Sequence, residues 1–387
     1  MNFEEDRFVH TFEKKLSNKK TFNQVFYGLL IVLGVLLLIN IYLASAGYSA
    51  VKLKAAEVKE ANRPAEISLM IIDSGCKDCF DVEALVTQVK DKNVKILDEK
   101  RVEKNSEEAK TLIEDYNIKK LPTVIVSGEL DKFSMTGFET VNDKQVFMNI
   151  LAPYVESSTG QTKGLVKLVH VTDTSCVECI SMEPVIASLG EAGVKISDIK
   201  KVDYTSPEGK KYISDYGLKE TPALLISNEV TYYNGMKETL VSLGSTEVKG
   251  FFKLHSTLPP YRKTGTGQVA GLVDMALLKD SSCQSCYDVE VNKQIMERFG
   301  LFIKDTKTYD VNSAEGKQLI SKYKITKVPI LILSPDAKEY PTLSRAWPQV
   351  GTTESDGWFI MRKPEVIGSY KDLSTNQEIN PNENIGE

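Results

Sequence analysis

Six cysteines occur in this chain, all in three Cys-x-x-C pairs, and each pair is followed at one fixed distance by a proline. Cys76-Lys-Asp-Cys79 begins 46 residues before Pro122, Cys176-Val-Glu-Cys179 46 before Pro222, and Cys283-Gln-Ser-Cys286 46 before Pro329. Whatever surrounds one pair must therefore be built three times. No thiol is left over, so the pattern points to dithiol chemistry carried out at three places.

The repetition extends beyond the cysteines. SEEAKTLIEDYNIKKLPTVIVS (106–127), SPEGKKYISDYGLKETPALLIS (206–227) and SAEGKQLISKYKITKVPILILS (313–334) share Ser, Glu, Lys, Ile, Tyr and Pro before an apolar run ending in Ser. An Asp stands three residues ahead of each first cysteine: Asp73, Asp173 and Asp280. The second and third copies match at a constant offset of 107, from TGQ at 159 and 266 to GSTEVKGFF at 244 and GTTESDGWF at 351. The first copy is shorter after its proline. A unit of about 100 residues exceeds a solenoid repeat and suits a complete small domain. This predicts units at 65–157, 164–262 and 271–375, with a flexible tail at 376–387. The Gly/Ser/Thr-rich segments Ser157–Gly164 and Thr264–Gly271 read as flexible boundaries.

Val25–Ala46 carries no charge and one strongly polar residue, Asn40. About 20 apolar residues suffice to cross a bilayer, and Tyr27 and Tyr42 lie near the ends, where aromatic belts form. The run predicts a transmembrane helix at 25–46 after a leader at 1–24. Ala44-Ser45-Ala46 resembles a cleavage site, which leaves a removable signal as the alternative, although the run exceeds the roughly 7–15 apolar residues of such signals. Arg7, Lys14, Lys15, Lys19 and Lys20 before the run, against Lys52, Lys54, Lys59 and Arg63 after it, favour a cytoplasmic N-terminus with the repeats extracytoplasmic. Cysteine used only in pairs agrees with an oxidising compartment. Phe8, Phe12 and Leu16 have helical spacing and suggest a short amphipathic helix. A net charge of −5 with mixed signs argues against a nucleic-acid binder.

In the second copy, Leu165–Val171 reads as a strand, followed by a helix from about Cys176 carrying Ile180, Met182, Val185 and Ile186. A strand at Val194–Val202, a helix at Glu208–Tyr216 capped by Gly217, and a strand at Ala223–Ile226 follow, with a hairpin partner expected near Val230–Tyr233. Alternating strands and helices predict an α/β fold with a parallel pair. Asp91–Lys104 reads as a solvated helical face. Trp358 aligns with Phe251, which predicts a core role.

A Cys-x-x-C that opens a helix is activated by unpaired N–H groups and the helix dipole, which favour the first sulfur as thiolate. Each repeat resembles a thioredoxin-fold domain, with a strand, Cys-x-x-C, a crossover and a proline heading the next strand. The resemblance covers roughly residues 65–375, and three tandem copies are similar to the arrangement of protein disulfide isomerases. It implies cis prolines at Pro122, Pro222 and Pro329 facing the dithiols. It also implies that Leu121, Thr221 and Val328 offer backbone groups to an extended substrate. Cys76, Cys176 and Cys283 would be the more exposed, attacking thiols, and Cys79, Cys179 and Cys286 the resolving ones.

The departures from the family are specific. Gly75, Ser175 and Ser282 stand where it often has an aromatic residue, and Met70, His170 and Leu277 where thioredoxin has a buried acid. Asp73, Asp173 and Asp280 read either as cap or turn residues or as proton-transfer groups. Asp78 and Glu178 place negative charge by the first two sites, which should make them less oxidising.

The reading is a membrane-anchored thiol–disulfide oxidoreductase acting on protein substrates, reset by a redox partner, with no organic cofactor and no metal. A structural disulfide closes so short a loop that it contributes only about 2 kcal/mol. A structural zinc site lacks ligands, because His10 and His255 are remote and only His170 accompanies a pair. Transient thiolate transfer of Cu(I) and a non-catalytic binding scaffold remain as alternatives.

Overall fold

The computed structural model describes residues 19–255 and 258–381. Phe8, Phe12 and Leu16, most of the leader, and residues 382–387 of the tail lie outside the described residues.

The chain is mixed α/β, with one apolar N-terminal helix and several sheets. That helix is Lys19–Asn62, longer than the apolar run itself. It is the one described helix long and apolar enough to cross a membrane, with mean hydropathy 2.6 in its most apolar window. The side chains from Val25 to Leu43 are exposed, so no described residue covers this apolar band. Asn40 is accommodated because its Nδ2 donates to the Leu36 carbonyl at 2.8 Å, satisfying a polar group within the turn.

Two compact units divide the chain. One contains the residues up to Met70, Glu83–Lys100 and Val124–Val146; the other contains Ile71–Val82, Arg101–Thr123 and the chain from Phe147 onward. In the first, the end of the long helix is tied by ion pairs. Arg63 binds both carboxylate oxygens of Glu129, and Glu60 binds Lys132 at 2.9 Å.

One strand order recurs in three five-stranded sheets. From edge to edge the second sheet runs Ile196–Asp203, Val166–Thr172, Ala223–Ser227, Phe251–His255, Thr246–Val248. The third runs Ile303–Asp310, Val273–Lys279, Ile330–Leu333, Phe359–Met361, Gly351–Thr353. In both, the first two strands are parallel and the remaining pairs antiparallel, as the crossover pattern predicts. The central strands Ala223–Ser227 and Ile330–Leu333 are wholly buried. The crossover helices begin on Ser106, Ser206 and Ser313, whose hydroxyls accept from the third residue on. Those shared serines are N-caps. Gly217 ends its helix with a left-handed φ of 59°.

Four expectations change. The helix after each cysteine pair starts at Val82, Glu183 and Val291, leaving the pairs in the turn ahead of it. Ile180 consequently falls outside the second copy's helix, whose buried face is Ile186 and Leu189. Pro184 explains the delay, since proline favours the first turn of a helix over its interior. Val230 lies in the short 3-10 helix Asn228–Tyr232, and the hairpin partner is Phe251–His255. Val94–Glu103, within the charged stretch, is a mostly exposed edge strand rather than a helix; charge on such an edge discourages further strand pairing.

The fourth change concerns the supposed linkers. Tyr154–Glu156 and Thr162–Lys163 form a hairpin that pairs with Lys120–Leu121. Tyr261–Lys263 and Val269–Ala270 pair likewise with Glu220–Thr221, and Tyr370–Asp372 and Gln377–Ile379 with Lys327–Val328. The glycines serve the turns: Gly160 and Gly267 have φ of 70° and 71°, a region open to glycine and costly for most residues.

Candidate active site

Each cysteine pair sits in the loop between the first strand of its copy and the following helix. All three are disulfides, with Cα–Cα distances of 5.4, 5.3 and 5.6 Å. The preceding Asp builds the loop. Asp73 Oδ1 accepts from Gly75 N at 3.0 Å, Asp173 Oδ1 from Ser175 N and Oγ at 3.1 and 2.7 Å, and Asp280 Oδ1 from Ser282 N and Oγ at 2.8 and 2.6 Å. These are turn-forming bonds, the plainer of the two roles considered for the aspartates. The other role keeps a geometric basis in the second copy, where a carboxylate oxygen of Asp173 and the sulfurs of Cys176 and Cys179 lie within 4.8 Å of one another.

The Leu121–Pro122, Thr221–Pro222 and Val328–Pro329 peptide bonds are cis. All six residues are buried. In the third copy, Cys286 Sγ lies 4.0 Å from the Val328 carbonyl oxygen, which brings that pair and its proline together. The residue after each second cysteine donates its N–H to the approach of the return hairpin: Phe80 to Pro153 O at 2.7 Å, Ile180 to Pro260 O at 3.1 Å, Tyr287 to Ser369 O at 2.9 Å.

The return hairpin therefore occupies the edge assigned to a substrate. Leu121 is in register with Val155, Thr221 with Arg262 and Val328 with Lys371. An extended chain pairs with a strand only where backbone groups are unclaimed, and here the chain's own strand takes that place.

Two cations in these hairpins were missed from sequence. Arg262 Nε binds Asp173 Oδ2 at 2.6 Å, and its Nη2 binds Ser175 Oγ at 2.9 Å. Lys371 Nζ binds Asp280 Oδ2 at 2.8 Å and Ser282 Oγ at 3.2 Å. Burial pushes the Asp280 carboxyl up, but the Lys371 ammonium and the Ser282 hydroxyl and amide outweigh it and hold the group below its usual value. The first copy lacks this device. Val155 stands at the register position of the cation, Gly75 replaces the serine, and no cation pairs with Asp73 among the described residues. The missed signal was the recurrence of a tyrosine and a later glutamine in YVESSTGQ, YRKTGTGQ and YKDLSTNQ, which aligns the hairpins and places Arg262 and Lys371 together.

Two further sequence expectations are altered. Cys176, assigned the more exposed sulfur, is 7% exposed and buried, whereas Cys179 is partly exposed. The residues just before Cys176 are those held down by Arg262. Asp78 is paired with Lys195 at 3.1 Å, which offsets its charge near the first pair. His170, six residues before Cys176, is buried 3.4 Å from Glu183, and burial pushes its pKa down despite that carboxylate.

No family model matches the chain, and no curated protein does. Among solved structures, the alkylhydroperoxide reductase AhpF of Enterococcus faecalis is similar at 15% identity, covering 44% of this chain and 82% of that one, with a TM-score of 0.15. ERdj5 form II is similar at 11% identity over 72% of this chain and 39% of that one, TM-score 0.15. Zinc-bound human ERp44 is similar at 8% identity over 72% and 83%, TM-score 0.12.

Proposed function

We propose that this chain is a membrane-anchored thiol–disulfide oxidoreductase with three tandem thioredoxin-like domains at 65–157, 164–262 and 271–375. One observation supports this most. Three cysteine pairs occupy the same loop beside sheets of the same strand order, and each bridge spans a sequence separation of only 3. Such bridges tie no distant parts of the chain together, so exchange explains them better than stapling.

The exchange runs as two displacements. A substrate thiolate attacks Cys76 Sγ, the Cys76–Cys79 bond breaks, and Cys79 leaves as thiolate. A second substrate thiolate attacks the mixed disulfide and releases Cys76. The substrate is oxidised by two electrons and the pair is reduced by two; run backwards, the pair reduces a disulfide. Cys176 with Cys179, and Cys283 with Cys286, act likewise. Leu121, Pro122, Thr221, Pro222, Val328 and Pro329 form the floor of the sites, and a protein substrate engages their edge where the return hairpin gives way. A redox partner resets the pairs. The helix Lys19–Asn62 anchors the chain with its N-terminus cytoplasmic and the sites extracytoplasmic.

Trapping tests this reading. With Cys79, Cys179 or Cys286 replaced by Ser, exchange halts at the mixed disulfide. Each variant, reduced and exposed to a protein disulfide, should retain a covalent adduct on Cys76, Cys176 or Cys283. Absence of adducts from all three variants rejects the function.

A further inference from the structure

One face of the third return hairpin grips its cysteine loop on both sides of Cys283. Lys371 and Glu378 are opposed in register on the strands Tyr370–Asp372 and Gln377–Ile379, so their side chains leave the same face. Lys371 bonds Asp280 and Ser282, ahead of Cys283. Glu378 reaches into the motif itself: its Oε2 accepts from Ser285 Oγ at 2.6 Å and from Ser285 N at 3.3 Å. The Ser285 hydroxyl, helped by the Ser285 and Gln284 amides and opposed by some desolvation, holds the Glu378 carboxyl below its usual value. It is therefore a carboxylate at neutral pH.

The other two copies place no acid there. Thr162 stands opposite Val155, and Val269 opposite Arg262, where Glu378 stands opposite Lys371. Those copies carry an acid inside the motif instead, Asp78 and Glu178, at the position of Ser285. Cys-Gln-Ser-Cys has none and receives one from its hairpin. The other carboxylates on this loop are engaged ahead of the motif, Asp280 with Lys371 at 2.8 Å and Asp310 with Ser281 N at 2.8 Å.

Unpaired N–H groups beside a cysteine stabilise its thiolate, and a nearby negative charge opposes it. Glu378 takes the amides between the two cysteines and adds a charge, so both effects disfavour the thiolate of Cys283. A pair is strongly oxidising when its reduced form is stabilised; here the reduced form is destabilised.

We propose that Glu378 is a positioning residue that biases the third pair toward its disulfide, so that Cys283 and Cys286 are poised to donate electrons. The proposal rests on the exchange reading above. Its atoms and electrons balance as written there, in the direction in which the pair gives two electrons to a substrate disulfide and closes its own bond.

The test uses the full chain in detergent at low salt. After reduction with a phosphine, timed alkylation by iodoacetamide at graded pH, read by peptide mass, follows the thiolate of Cys283. Glu378→Gln keeps an acceptor for Ser285 and removes the charge. Alkylation of Cys283 at neutral pH should become about threefold faster, the size expected of one exposed charge, and its profile should move to lower pH. In glutathione buffers Cys283–Cys286 should become about threefold easier to reduce, with Cys76–Cys79 and Cys176–Cys179 unchanged. Adding Ser285→Asp to Glu378→Gln gives the third motif the inner acid of the first and should return both readings to native. An unchanged Cys283 profile in Glu378→Gln, a shift shared by all three pairs, or no rescue by Ser285→Asp would each overturn the proposal. Pairs that never exchange with glutathione would instead reject the exchange reading, and the Cys283 profile would still decide the part played by Glu378.

Discussion

Arg262 and Asp173 form a buried ion pair, Nε to Oδ2 at 2.6 Å, with the carboxylate side chain fully shielded from solvent. It joins the return hairpin of the second copy to the loop that carries Cys176. Lys371 and Asp280 repeat it in the third copy at 2.8 Å, and Val155 leaves it out of the first.

Breaking one member of such a pair leaves a buried charge uncompensated, at a cost of about 3 kcal/mol or more. Arg262→Ala should therefore loosen the second hairpin, while Asp173→Asn combined with Arg262→Met should recover most of the loss. Hydrogen exchange of 172–180 reads this locally. Protection unchanged in Arg262→Ala would show that the pair holds nothing.

The unlatched first copy should react first. Cys76–Cys79 is expected to be reduced by a small thiol about tenfold faster than Cys176–Cys179, a difference of about 1.4 kcal/mol in local opening. Alkylation of the reduced pairs at timed intervals, followed by peptide mass analysis, gives the three rates. Val155→Arg combined with Gly75→Ser should slow the first pair towards the second.

Acid should release the loops of the second and third sites. Asp203 accepts from Thr174 N at 3.0 Å, and Asp310 from Ser281 N at 2.8 Å. The Thr205 hydroxyl, followed by the Thr174 bonds, holds Asp203 well below its usual value despite some desolvation. The Ser281 hydroxyl and the Asn312 and Ser281 amides hold Asp310 at about 2. A carboxyl depressed in the folded state stabilises it fully above its unfolded pKa of about 3.9, and that contribution fades as pH falls through the folded value. Amide protection at Thr174 and Ser281 should be flat from neutral pH to about 4 and decline from there towards about 2. A decline centred above pH 5 would assign it to other groups.

Deleting residues 1–46 should convert a membrane-pelleting protein into one that stays in the supernatant with its three disulfides intact. The exposed band from Val25 to Leu43 is the reason. Pelleting by the truncated chain would move the anchor elsewhere.

The repeat, the α/β alternation and the cysteine pairs were legible because they are local patterns: Ser–Glu–Lys–Ile–Tyr spacing, apolar strand runs and Cys-x-x-C. The return hairpins were not. Ser157–Gly164 and Thr264–Gly271 are rich in turn residues, and turn chemistry looks the same in a flexible connector and in a tight hairpin. Only pairing with Lys120–Leu121 or Glu220–Thr221, far away in sequence, separates the two. Arg262 and Lys371 were overlooked for a related reason: a lone cation in a polar segment gains meaning only when register sets it on Asp173 or Asp280. The helices start later than Cys-x-x-C suggests because the aspartate-built loop comes first and, in the second copy, Pro184 favours the first helical turn.

A redox titration reads most directly whether the three pairs are redox couples. The full chain in detergent would be equilibrated in graded glutathione buffers, quenched in acid, alkylated with a mass-tagged maleimide and digested, so that thiols are counted pair by pair. The account predicts that all three pairs pass reversibly between disulfide and dithiol at poises within about −120 to −300 mV. Pairs that remain oxidised at every poise, or never reoxidise once reduced, would contradict it and make the bridges structural.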